Sequence, residues 1–189
     1  LQETADAQLL VVACGGIRRH ALALLRPDGR LLESLRPLGD PLERFQGLAR
    51  VVQQGPWTYA CEPGAARVQV FRDFEFHFAF RIDVHAGERP LPLALAALAD
   101  GRLVIALAGS RAALVLADAA GRVQRVLAGV GEGHGDLRDS VDVAAEAGAS
   151  EREGRVAVLD RDAERLQVFS LDGRCLGEFP ALPGEGPIP

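Results

Sequence analysis

The sequence predicts an all-β protein made of four copies of one short structural unit. The segment 156–174, VAVLDRDAERLQVFSLDGR, is typical of a strand, a polar turn, a second strand and an Asp-Gly turn. Its stretch RLQVF (165–169) matches RVQVF at 67–71. The same layout of short β-type runs and turns recurs at 9–35 and 102–127. Repetition of one unit through most of the chain predicts a repeat architecture.

Four residues mark equivalent points of the copies, immediately after the first strand of each. Successive anchors are 47, 46 and 52 residues apart, and they are Gly15, Glu62, Ala108 and Asp160. A further β-type run precedes three of the copies, at 48–54, 93–101 and 140–148. Four strands in about 45 residues indicate the blade of a β-propeller. Since one blade does not bury both faces of its sheet, neighbouring blades must pack face to face.

The predicted organisation is a single β-propeller domain over 1–189, with about four blades of four antiparallel strands. The blades span approximately 8–38, 44–83, 91–129 and 138–181. The stretch 182–189 is either the start of a further repeat or a tail. Two alternatives stay open: four blades as a portion of a five- or six-bladed propeller, or a compact ring of four sealed by residues 1–8 or by a partner.

The fourth copy carries the most specific motif. A Gly-rich segment precedes it at 131–135, an acid ends its strand at Asp160, an arginine begins the next strand at Arg165, and Asp172-Gly173 follows. With these residues the fourth copy resembles the NHL-repeat family of β-propellers, although Ala163 is present where that family usually has asparagine. The second copy repeats the acid and the arginine as Glu62 and Arg67, whereas the other copies share only the layout.

The paired acid and arginine predict a structural ion pair in each of these two copies. An acid at the end of one strand and an arginine at the start of the next are placed to bridge the turn between them. We therefore expect Asp160 with Arg165, and Glu62 with Arg67, to hold their blades together. The alternative is that these side chains contact a ligand.

The charge of the chain argues against nucleic acid as a partner. The net charge is −5, from 21 basic residues, all of them arginine, and 26 acidic residues, with no basic cluster. The absence of lysine indicates a GC-rich bacterial genome. The longest apolar runs are about half the length of a membrane helix, so no direct membrane insertion is expected. The compartment is left open, with a periplasmic or extracytoplasmic one favoured over the cytoplasm.

No metal, cofactor or catalytic residue is predicted. The histidines do not occupy equivalent inner-strand positions, so we do not expect them to converge on a central channel; they are His20, His77, His85 and His134. The three cysteines, Cys14, Cys61 and Cys175, show no metal-binding spacing, and reduced buried thiols are the default interpretation.

Aromatic residues concentrate in the second copy, and they are the best candidates for a partner-binding surface: Trp57, Tyr59, Phe74, Phe76 and Phe78. Strand alternation predicts the three phenylalanines on one face, opposite Glu75 and His77. The predicted function is a non-catalytic scaffold that binds protein partners or joins a larger assembly. An open blade edge is expected to allow an oligomer or complex to form. The family resemblance also implies an alternative, a lyase or lactone-hydrolase propeller enzyme with a metal at the central channel.

Overall fold

In the computed structural model, the regular secondary structure of the described residues is almost entirely antiparallel β-strand. The structure describes residues 45–180 and, of the preceding part, 9–15, 19–25, 28 and 30–35. The first sheet contains β1 (Leu9–Gly15), β2 (Arg19–Leu25) and β3 (Leu31–Leu35). The second contains β4 (Arg50–Gln54), β5 (Trp57–Glu62), β6 (Arg67–Arg72) and β7 (Glu75–Phe80), with a short 3-10 turn at Pro63–Ala65.

The third and fourth sheets repeat the pattern of the second. The third contains β8 (Leu91–Ala97), β9 (Leu103–Ala108), β10 (Ala112–Ala117) and β11 (Val123–Gly129). The fourth contains β12 (Ser140–Glu146), β13 (Arg155–Asp160), β14 (Arg165–Ser170) and β15 (Cys175–Pro180). Within each sheet every strand pairs with the next one along the chain, so each sheet is a simple meander.

The predicted repeat is present in the strand pattern. The four anchors are the last residues of β1, β5, β9 and β13. The runs at 48–54, 93–101 and 140–148 overlap β4, β8 and β12, the first strand of each four-stranded sheet. The first sheet has three described strands, and β1 is its anchor strand. Residues 1–8 and the predicted repeat start at 182–189 lie outside the described part of the chain.

Local sequence explains two irregular points. The Asp-Gly pairs at 100–101 and 172–173 lie in the turns that follow β8 and β14, and Gly101 and Gly173 have φ of +86° and +89°. Glycine adopts this left-handed region without the steric cost that a side chain brings. Pro92 lies within β8, beside a register shift between Pro92 and Ala94. Because β8 is an edge strand, the missing backbone N–H of proline is tolerated there.

The third sheet is covered on both faces. In β9, Leu103, Ile105 and Leu107 pack in one cluster with Val68 and Val70 of the second sheet. The intervening residues Val104 and Ala106 pack in another cluster with strands of the fourth sheet, which contribute Val156, Val158 and Phe169. Alternation in a strand buried on both faces requires apolar residues at every position. The uninterrupted apolar runs of β9 and β10 are therefore explained by neighbours on both sides.

The fourth sheet has one covered face and one exposed face. Val156 and Val158 face the third sheet and are fully buried. On the other face, Leu159 is paired with Leu166, which is paired with Phe179, so these three side chains form one row. Leu159 is 39% exposed and Phe179 is 54% exposed. In the described part of the chain no helix is long and apolar enough to cross a membrane.

Phe169 and Phe179 form a matched pair for testing this packing. We expect Phe169→Ala to lower the free energy of unfolding by about 3–5 kcal/mol, because it removes a fully buried ring from the contact between two sheets. The control Phe179→Ala, in the same sheet, should change it by less than about 0.5 kcal/mol. Urea unfolding followed by circular dichroism measures both, and equal losses would contradict the packing described above.

Candidate functional site

A pocket of about 630 Å³ lies between the second and third sheets at one end of their strands. Three turns border it, those joining β4 to β5, β8 to β9 and β10 to β11. Trp57, Tyr59 and Phe78 supply aromatic surface, while Gln54 and Asp100 add polar groups. A concave apolar site with a few polar groups is the usual form of a binding site.

Strand register assembles the aromatic wall of the pocket. Tyr59 of β5 is directly opposite Val70 of β6, and Val70 is directly opposite Phe78 of β7. The three side chains therefore form one row on one face of the second sheet, and Trp57, two residues before Tyr59, lies on the same face. Tyr59 is only 4% exposed, and burial raises the pKa of its phenol, so the hydroxyl is neutral at neutral pH.

The side chain of Trp57 is held from two directions. The imidazole ring of His77 lies 5.3 Å from the Trp57 ring, centroid to centroid, at an interplanar angle of 60°. The guanidinium carbon of Arg72 lies 5.5 Å from the same ring centroid, within the range of a cation–π contact. These contacts fix the indole as a half-buried wall of the pocket.

The expectation that Phe74, Phe76 and Phe78 share one face is wrong. A register shift between Val70 and Phe71 leaves His77 as an extra residue in β7, which is a β-bulge. Phe78 therefore faces the third sheet, whereas Phe76 packs on the opposite face against Phe71, with ring centroids 5.9 Å apart.

Phe74 lies outside the strand, in the turn between β6 and β7. Asp73 and Phe74 have φ of +49° and +66°, a left-handed conformation that is uncommon for residues other than glycine. The backbone N–H of Asp73 donates to the carbonyl oxygen of Pro56 at 2.9 Å. Since Pro56 lines the pocket, this hydrogen bond places the strained turn next to the pocket rim.

Glu62 and Arg67 lie close together in the second sheet, as the sequence suggests. Arg67 Nε is 2.8 Å from Glu62 Oε2, and the Glu62 side chain is fully buried. Gln69 Nε2 donates to the same oxygen at 2.6 Å, and the backbone N–H of Gln46 donates to Oε1. The carboxylate thus connects two strands to the loop before β4.

Asp160 has a similar position in the fourth sheet but a different arrangement of partners. It accepts hydrogen bonds from the backbone N–H groups of Arg138 and Asp139, at 3.1 and 3.0 Å, in the loop before β12. Arg165 Nε is 3.6 Å away, an ion-pair distance, and its Nη2 donates to the carbonyl oxygen of Asp136 at 2.7 Å. Both buried acids therefore hold the loop that leads into their sheet.

The third sheet uses an acid that the sequence analysis did not single out. Ala108 occupies the anchor position, and Glu88, in the loop before β8, faces the turn between β9 and β10. It accepts hydrogen bonds from Ser110 Oγ at 2.6 Å and from Arg111 Nε at 2.9 Å. These two interactions, the serine hydroxyl first, lower the pKa of Glu88 to about 2. A linear motif does not show that the loop before β8 contacts the turn between β9 and β10, so Glu88 could not be identified from the sequence alone.

The described cysteine and histidine side chains differ in burial. Cys61 is buried, and burial raises the pKa of its thiol to about 12, so it is an inert part of the core. Cys175 is half-buried in β15, with a thiol pKa also raised by burial. His134, in the loop before β12, lies 3.1 Å from Glu178 through Nδ1. The side chains of Cys14 and His20 are outside the described part of the structure.

The sequence matches no protein-family model and no curated protein, but solved structures resemble the fold. A Bacteroides caccae protein of unknown function is 15% identical, with a TM-score of 0.56 over 93% of this chain and 58% of that one. A streptogramin B lyase is 8% identical, with a TM-score of 0.58 over 95% and 56%. A structure of a nidogen/laminin complex is 15% identical, with a TM-score of 0.55 over 85% and 55%.

These neighbours are propeller-type proteins. The chain has a β-propeller fold. It spans between 55% and 58% of the length of these three structures. Its four-stranded sheets are propeller blades, and the second, third and fourth sheets are the second, third and fourth blades. In this propeller the aromatic pocket lies between two adjacent blades, and β4, β8 and β12 are the first strands of their blades.

The buried carboxylate of Glu62 gives a test of how the second blade is held. We expect Glu62→Ala to lower the free energy of unfolding by about 3–5 kcal/mol, because it leaves the buried Arg67 without its counter-ion. The control is Arg122→Gln, whose side chain is 84% exposed and should matter by less than about 0.5 kcal/mol. Chemical denaturation measures both, and a cost of Glu62→Ala no larger than the control would refute the assignment.

The lowered pKa of Glu88 predicts a pH-dependent contribution to stability. Because the folded pKa, about 2, lies below the ordinary value of 4.5, the stabilisation is fully present above pH 4.5 and is lost as the pH falls toward 2. Glu88→Gln should therefore lower the melting temperature at pH 7, and the difference from wild type should shrink between pH 4.5 and 2. Ser110→Ala should reduce the same pH dependence, and a difference that does not change with pH would overturn this prediction.

Proposed function

We propose that this chain is a non-catalytic β-propeller of NHL type that serves as a protein-binding scaffold or as a subunit of a larger assembly. In this proposal the aromatic pocket receives an apolar side chain from a partner's peptide segment. The blades at about 8–38, 44–83, 91–129 and 138–181 form one domain that supports the pocket.

The observation that carries the proposal is the pocket itself. Trp57, Tyr59 and Phe78 are fixed by strand register and ring contacts, so little side-chain entropy is lost when a ligand binds. Aromatic side chains of this kind dominate the energetics of protein interfaces. Polar groups at Gln54 and Asp100 give the apolar centre a hydrogen-bonding rim. This arrangement favours recognition of a side chain over chemical conversion of a substrate.

The turn at Asp73 and Phe74 supports a binding role for the same end of the second blade. A bulky residue with positive φ costs free energy and persists mainly where function or packing requires it. The hydrogen bond from Asp73 to Pro56 places this turn beside the pocket. Phe74 is therefore well placed to extend the contact surface of a bound segment.

The NHL assignment rests on the residues that two blades share. A buried acid and an arginine occur as Glu62 with Arg67 and as Asp160 with Arg165, and in both blades the acid accepts from the preceding loop. A structural neighbour comes from a nidogen/laminin complex, which makes protein partners a reasonable expectation for a propeller of this shape.

The alternative is a propeller enzyme of the lyase or lactone-hydrolase type, with a metal at the central channel. A streptogramin B lyase is among the structural neighbours. Asp142 of β12, which forms a 3.0 Å ion pair with Arg50 of β4, lies in the first strand of its blade and is the acid with which this alternative is tested. Stoichiometric bound metal that is lost on Asp142→Asn substitution would favour the enzyme over the scaffold.

A peptide selection tests the scaffold proposal. We expect an unbiased displayed library to yield peptides with an aromatic or large aliphatic residue, with a Kd on the order of 1–100 μM. Because Trp57 is the only tryptophan in the chain, its fluorescence emission should shift as a peptide enters the pocket.

The neighbouring residues Gln54 and Gln53 provide the matched control. Both are exposed, but only Gln54 lines the pocket. Gln54→Arg should weaken peptide binding more than tenfold, whereas Gln53→Arg should leave it unchanged. Selected peptides that bind the Gln54→Arg variant as well as wild type would show that this pocket is not the binding site.

A further inference from the structure

Three potential metal ligands lie together at the last strand of the fourth blade. They are His134, Cys175 and Glu178, and one donor atom from each lies within 4.8 Å of the other two. His134 belongs to the loop between β11 and β12, whereas Cys175 and Glu178 belong to β15, the last strand of its sheet. In the part of the chain that the structure describes, no other group of three His, Cys, Asp or Glu residues meets this criterion.

A β-bulge brings the two strand residues to one face. Residues three apart in a regular strand point to opposite faces. In β15, however, the register shifts between Val168 and Phe169, so Cys175 is opposite Phe169 and Glu178 is opposite Gln167. Since Gln167 and Phe169 share a face of β14, Cys175 and Glu178 share it too. Bulges commonly redirect side chains in this way next to functional sites.

Gly135 allows the loop to approach this face closely. Its φ is +82°, and a Cβ placed on it would lie 3.2 Å from the Cβ of Cys175, closer than ordinary packing allows. The backbone N–H of Gly135 also donates to Glu178 Oε1 at 3.3 Å. The loop is thereby anchored to β15 at the residue that follows His134.

From this juxtaposition we infer that His134, Cys175 and Glu178 form a binding site for a divalent transition-metal ion of the zinc type. A thiolate, an imidazole and a carboxylate together suit Zn²⁺, because soft and borderline donors are poor ligands for Ca²⁺ or Mg²⁺. Three protein ligands leave a fourth, solvent-facing position for water. On binding, the thiol proton of Cys175 passes to solvent as the metal–sulfur bond forms.

The distances are compatible with this ion. In a tetrahedral zinc site the donor atoms are separated by roughly 3.3–3.8 Å. His134 Nδ1 and Glu178 Oε1 are already 3.1 Å apart, and the His134 side chain is 70% exposed, so it is free to adjust toward Cys175. Arg165 Nη1 lies 3.1 Å from the other oxygen, Glu178 Oε2, and so orients the carboxylate. Such supporting contacts raise the affinity of metal sites.

This site differs in place from a metal at the propeller axis. Its strand residues lie on the outermost strand of the fourth blade, whereas β12 is the first strand of that blade and packs against β8 of the neighbouring blade. The inference is therefore independent of both functions considered above. A metal here would join the loop before β12 to the last strand of the same blade.

Metal titration of the full chain tests the inference. We expect the chelator-treated protein to bind one Zn²⁺ per chain, and bound Co²⁺ to show a thiolate-to-cobalt charge-transfer band. Cys175→Ser should abolish that band. Each of His134→Ala and Glu178→Gln should weaken Zn²⁺ binding at least tenfold, since each removes one of three ligands. Zn²⁺ should also raise the melting temperature of the wild type.

Two variants serve as controls for this experiment. His85→Ala removes another exposed loop histidine and should leave zinc binding unchanged. Gly135→Ala keeps all three ligands but displaces the loop, so it should weaken binding. Because His134 is exposed, His134→Ala is informative even if Cys175→Ser impairs folding. Absence of 1:1 binding, absence of the thiolate band, or equal affinity of the His134→Ala variant and the wild type would overturn the inference.

Discussion

A small sheet with two apolar faces needs cover on both sides, and this constraint accounts for most of the molecule. The third blade shows it most clearly, because alternate residues of β9 enter two different clusters, one with each neighbouring blade. Among the described residues, neither cluster contains a helical residue, so the hydrophobic contribution of these clusters to stability comes from blade-to-blade packing. On the fourth blade, the row formed by Leu159, Leu166 and Phe179 is also an apolar sheet face, but no described residues cover it.

Acidic side chains that are buried or hydrogen-bonded fix the loops between blades. In the second and fourth blades the acid is at the end of a strand and accepts from the preceding loop. In the third blade the acid, Glu88, is in the loop and accepts from the turn. In all three blades an acid therefore connects the preceding loop to the sheet, but the acid belongs to the strand in two blades and to the loop in the third. This explains why Ala108 is tolerated at an anchor position that carries an acid in two other blades.

Much of the fold could be predicted from sequence, because apolar runs, Asp-Gly turns and repeat spacing are local signals. The strand-end positions of Glu62, Ala108 and Asp160 follow from that spacing. The side-chain positions in β7 and β15 could not be predicted, because each strand contains a bulge. One extra residue reverses the alternation, which separates Phe76 from Phe78 and brings Cys175 close to Glu178. A bulge depends on the pairing of two strands, which no local pattern encodes.

The meander connectivity has an evolutionary consequence. Every four-stranded blade is one uninterrupted segment of the chain, and its strands pair only with sequence neighbours. Duplication or deletion of one genetic segment therefore adds or removes an entire structural layer without rewiring any hydrogen-bonded ladder. Blade number is a property that such a lineage can vary readily, while the surfaces on individual blades diverge independently.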